Sequence, residues 1–234
     1  MMQQKRYNIF NQVHKALRSM LYDAADRLQQ TDFDNRDDAT EMVYDLEKIL
    51  CYFEKHADHE NTFILPAVAR YDGALVERFQ EGQITAEVLT ESLRNTISAW
   101  EQTDDRAAMI GWGRYLLLTF NDFIAFNLSQ MNKEEDELNE VLWVYYTDLE
   151  LLQIRQMLID TIPPGDLYEQ SRWMVAASSN QELLGWLNGL RRKGQQTLYE
   201  IQLRLAEEVL PAKRWHLLRH ALSPRVDEMT CPVV

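Results

Sequence analysis

The chain has 234 residues, 46% of them hydrophobic, with a formal net charge of -13 from 24 Lys+Arg against 37 Asp+Glu. That length supports a substantial core, and the acidic balance argues against binding to phosphate backbones. With 8 glycines, 6 prolines and only the cysteines Cys51 and Cys231, neither a turn-rich β fold nor a disulfide framework is expected.

Ile9, Phe10, Val13, Leu17, Met20, Leu21, Ala24 and Leu28 recur at helical spacing and predict a helix over 7–30, with His14 on its apolar face. A polar loop follows at 31–38. The next stripe, Met42, Leu46, Ile49, Leu50, Phe53, His56, Ala57, Glu60 and Ile64, predicts a helix over 38–71. Pro66 is expected to end or kink it near Leu65. The region 73–100 has a weaker stripe through Leu75, Phe79, Gln83, Ala86, Thr90, Leu93 and Ile97. Gly82 and a potential cap at Thr85 suggest two helical pieces there. A long helix over 107–146 carries Leu116, Phe120, Phe123, Asn127, Gln130, Met131, Glu134, Leu138 and Leu142 on one face.

Beyond Asp148 the pattern changes. A helix over 149–162 stops at Pro163-Pro164-Gly165, and further helices are expected over 166–177, 181–193, 195–210 and 213–222. Ser179 and Glu182 have the spacing of a capping box. The last dozen residues are expected to fray. The two expected regions are 1–148, a helical bundle, and 149–234, a helical extension packed on it.

Residues four apart on a helix share a face. His56 with Glu60, Gln130 with Glu134, and Gln83 with Glu87 all have this spacing. Imidazole and carboxylate from facing helices is the donor chemistry with which bundles hold iron or manganese. His59 lies beside Glu60 and is expected to point away from that face, at most a weak or indirect partner. The pair His216 and His220 reads as surface residues, and Cys51 as a small core residue.

The stretches His14-Lys15-Ala16-Leu17-Arg18, His56-Ala57-Asp58-His59-Glu60, Phe123-Ile124-Ala125-Phe126-Asn127-Leu128 and Met131-Asn132-Lys133-Glu134-Glu135 resemble the hemerythrin-like, HHE cation-binding family over roughly residues 7–148. The resemblance implies an all-α, antiparallel four-helix bundle, here with extra C-terminal helices. It implies His14, His56, Glu60 and Glu134 as metal ligands. Gln83 and Gln130 stand where the family places histidines, and no histidine occurs between His59 and His216. An amide oxygen is a weak substitute for imidazole. An intact di-iron centre is therefore not expected: the site is either metal-free or holds one divalent ion, iron or zinc, with Gln83, Glu87 and Gln130 as weak or indirect partners.

The expected role is binding, sensing or protein interaction rather than catalysis. Alternatives are an intact non-haem iron module for oxygen or nitric oxide sensing or iron-centre repair, and, last, a metal-dependent hydrolase. The expected partner is an unidentified protein, with neither nucleic acid nor membrane, and self-association is left open. The absence of an apolar leader at the N-terminus points to a cytoplasmic location.

Overall fold

The computed structural model describes residues 6–223, and every regular element among them is helical. The expected fraying of the last dozen residues, and Cys231, lie outside the described residues save for Ser223. Among the described residues no helix is long and apolar enough to cross a membrane.

The chain divides into two compact units, Met1–Pro163 and Pro164–Val234. The first contains α1 (Asn11–Gln30), α2 (Arg36–His59), a π turn (Glu60–Ile64), α3 (Leu65–Ala69), α4 (Gly73–Glu101), α5 (Arg106–Lys133), a second π turn (Glu134–Leu138), α6 (Asn139–Tyr145) and α7 (Asp148–Ile159). The second contains α8 (Pro164–Ala177), α9 (Asn180–Arg192), α10 (Gln196–Val209) and α11 (Ala212–Leu222). The division falls at the double proline rather than after Asp148. The reason is packing: Leu151 and Ile154 of α7 are buried in a core cluster with Phe10, Ile64, Val68, Phe79, Leu138 and Leu142.

In the first unit α1 packs on α2 and α5, and α4 packs on the same two helices. The stripes read from the sequence face inward: Leu17, Met20, Leu46, Leu50, Phe53, Leu93, Ile97, Leu116, Phe120 and Phe123 are all buried. Short polar caps start the helices. Asn35 accepts from the Asp37 amide, Asp72 from Leu75 and Asp105 from Ala108, each satisfying a donor that the first turn leaves free. The second unit has its own core cluster of Val175, Leu183, Leu187, Leu205, Ala206, Leu210 and Leu218. The Ser179–Glu182 capping box is formed. Thr147 and Glu150 form another, which the sequence reading did not single out.

Three details differ from the sequence reading. α1 begins at Asn11 rather than Tyr7, because Oδ1 of Asn8 accepts the amides of Phe10 and Asn11 and holds the chain in a turn. α4 is continuous where two pieces were expected, and Gly82 sits within it without breaking it. The reason is local: a Cβ on Gly82 would lie 3.0 Å from Nε2 of Gln130, so glycine gives room for that side chain between α4 and α5. Third, the long helices expected through 38–71 and 107–146 are each interrupted by a π turn. The first of these precedes Pro66, which lies in the opening turn of α3, where the missing amide hydrogen of proline is tolerated.

Candidate metal centre

Four polar residues break the apolar faces of α1, α2 and the two π turns, and the fold brings all four together. One ligand atom each from His14, His56, Glu60 and Glu134 lies within 4.8 Å of the other three. His14 is fully buried, Glu60 and Glu134 are buried, and His56 is half-buried. Buried polar groups need partners, so four such side chains converging in one place require an account.

The two imidazoles meet through the same nitrogen: Nε2 of His14 lies 3.1 Å from Nε2 of His56. Nε2 of His14 is also 3.4 Å from Oε2 of Glu134 and 3.9 Å from Oε1 of Glu60. Nε2 of His56 is 3.1 Å from Oε1 of Glu60. That oxygen is nevertheless buried without a hydrogen bond. The other nitrogen of His14, Nδ1, lies 3.0 Å from Oε1 of Glu135. The same oxygen accepts from Nη1 of Arg18 at 2.7 Å, and Oε2 accepts from Nδ2 of Asn8 at 3.2 Å. Phe10 stacks on the His14 ring, with centroids 5.0 Å apart.

The electrostatics of the carboxylates diverge. Burial raises the carboxyl pKa of Glu60, but the adjacent imidazoles of His56 and His14 outweigh it and bring it down to about 2. Burial, and then the charge of Glu60, push Glu134 well above the usual carboxylate range, against a hydrogen bond from Gln130. Glu135 is also opposed by burial, but its bonds to His14 and Arg18 bring it to about 2. Two carboxyl groups in one pocket do not both ionise freely, and a cation between them is the simplest relief.

The π turns are part of the site. Each begins at a carboxylate ligand candidate: the Glu60 carbonyl accepts from the Leu65 amide and the Glu134 carbonyl from Asn139. Such i→i+5 insertions are rare and recur at functional sites. A π turn holds more residues per revolution than an α turn, so successive side chains diverge less. Consecutive residues Glu134 and Glu135 thereby reach the two nitrogens of one ring, His14.

The remaining sequence candidates lie outside the group of four. Gln130 is half-buried and donates to Glu134, which makes it an indirect partner. Gln83 is half-buried and Glu87 is exposed on α4. His59 is half-buried, with its pKa lowered chiefly by burial and then by His56. His216 and His220 are exposed on α11, and Cys51 is a half-buried free thiol. The sequence reading assigned no role to Glu135; its signal was an acidic residue directly after a ligand candidate, a pattern too common on solvated helices to stand out.

Compared with protein-family models, curated proteins and solved structures, the chain matches none of them. The site therefore rests on its own geometry. Around one ion bound at about 2.0–2.2 Å, tetrahedral donors stand roughly 3.3–3.6 Å apart. The separations around Nε2 of His14 and His56 bracket that range, and the donor set of two imidazoles and two carboxylates could hold a metal ion. Among the described residues, α4 contributes no imidazole or carboxylate to the group.

Proposed function

We propose that this protein is a hemerythrin-like four-helix bundle whose di-iron site has been reduced to a single divalent-ion site, with a binding or sensing role. The ring of contacts α1–α2, α2–α4, α4–α5 and α5–α1, joined by short loops, supports the bundle reading. His14, His56, Glu60 and Glu134 are the ligands, and iron or zinc suits two imidazoles and two carboxylates. Two carboxylates balance the charge of one divalent cation. The ion supplies Lewis acidity and, for iron, redox response to a small ligand; the protein supplies a buried, preorganised donor set.

The observation that carries this reading over a metal-free polar core is a buried acceptor without a donor where four polar groups converge. Two Nε2 atoms face each other at 3.1 Å, beside a buried Glu60 oxygen that has no hydrogen bond. At most one of the two nitrogens can donate to the other, and a metal-free network would also place a donor opposite the Glu60 oxygen. One cation satisfies all of them at once.

Chelator-treated protein titrated with cobalt(II) and zinc tests the proposal. One ion per chain is expected, with a cobalt ligand-field band of low coordination number and loss of saturable binding in His56→Ala. Two tightly held ions per chain, or no saturable binding, would sink it.

A further inference from the structure

The inference that follows rests on the single-ion reading and concerns how that site is held. His14 can point either nitrogen at its neighbours with little change of shape, and only one choice offers a lone pair to an ion. We propose that Glu135, anchored by Arg18, is the positioning residue that fixes the tautomer and ring orientation of His14 so that Nε2 faces the other three ligands.

The geometry carries it. Glu135 lies outside the group of four, yet its Oε1 sits 3.0 Å from Nδ1 of His14. A carboxylate can only accept, so Nδ1 carries the hydrogen, and in the neutral ring Nε2 keeps the lone pair. Carboxylates on the far nitrogen of a ligating histidine orient the ring and raise its basicity. Glu135 is itself held by two further donors. Arg18 donates to Oε1 at 2.7 Å, and Asn8 to Oε2 at 3.2 Å. The second Arg18 amino group bonds Oδ1 of Asn132 at 3.0 Å, which keeps the guanidinium in place. Phe10 stacks on one face of the imidazole and limits its rotation. His14 is wholly buried, which keeps Nδ1 away from bulk solvent.

A merely structural reading treats Arg18–Glu135 as an ion pair tying α1 to the second π turn. The two readings differ in what each variant does. If Glu135 acts through His14, Glu135→Ala weakens zinc affinity about 10–100-fold. Glu135→Gln recovers most of the loss, because an amide oxygen still accepts from Nδ1–H. Arg18→Met, which leaves the acceptor in place, costs much less than Glu135→Ala. If only the ion pair matters, Arg18→Met and Glu135→Ala are equally harmful and Glu135→Gln rescues nothing.

Side-chain nitrogen NMR of histidine-labelled full-length protein gives a readout independent of metal. Chelated wild type is expected to show His14 protonated at Nδ1, and Glu135→Ala a mixture of tautomers. Glu135→Met, matched in length but lacking the acceptor, replaces Glu135→Ala where circular dichroism shows that the alanine variant does not fold. Unchanged tautomer and unchanged zinc affinity in these variants would overturn the proposal, as would equal losses in Arg18→Met and Glu135→Ala. Wild type that binds no zinc would remove the single-ion reading, while the tautomer comparison would still decide the role of Glu135.

Discussion

At the scale of single residues, the site holds more acid than its surroundings neutralise. Glu134 has its pKa raised by burial and by the charge of Glu60. A carboxyl whose folded pKa lies above its unfolded value contributes stability that is complete below the unfolded pKa and is lost as pH rises through the folded one. Chelated protein is therefore expected to become less stable from about pH 4.5 upward, the ordinary carboxyl value, with the loss ending above the raised value. Glu134→Gln should flatten that part of the profile, measured as thermal midpoint against pH. Bound cation inverts the preference, because the ionised form is now the ligand. Metal uptake should then release protons, and affinity should fall as pH drops through the raised pKa of Glu134. A Glu134→Gln profile matching wild type would contradict this assignment.

At the scale of elements, periodicity made the helices legible but not their irregularities. His14, Glu60 and Glu134 could be read as inward-facing because each interrupted an apolar stripe, and each is buried. The π turns at Glu60 and Glu134 were not read from the sequence, because the apolar positions on either side still follow at three- and four-residue spacings. Gly82 misled for a related reason. Its effect depends on Gln130 of another helix, a contact that no local pattern encodes. Gly113 is a second such case. A Cβ there would stand 2.1 Å from Cγ of Phe33, whose ring meets the buried Trp100 edge-on. The loop between α1 and α2 thus closes directly on the backbone of α5. Gly113→Ala should cost about 1–3 kcal/mol by overpacking, although alanine is the better helix former by about 1 kcal/mol. Chemical denaturation would register that loss; an unchanged or raised midpoint would mean the Phe33 ring moves aside freely.

At the scale of the whole molecule, charge and core divide in the same place. Residues 1–163 carry 29 acidic against 15 basic side chains, and residues 164–234 carry 8 against 9. The core cluster around Phe79 and Leu142 draws only on the first unit, and that around Leu187 and Leu205 only on the second. All four ligand candidates, and Glu135, Arg18, Asn8 and Gln130, belong to the first unit. α7 belongs there as well, since Leu151 and Ile154 help fill the core that also holds Ile64 and Leu138 from the two π turns. A chain ending at Pro163 should therefore fold and take up one zinc ion per chain with affinity close to that of the full protein. Ending it at Tyr146 instead would uncover that core and should lower the thermal midpoint and loosen the metal together. Equal behaviour of the two truncations would show that α7 does not support the site. Loss of zinc binding from the longer one would assign the second unit a part in holding the ion.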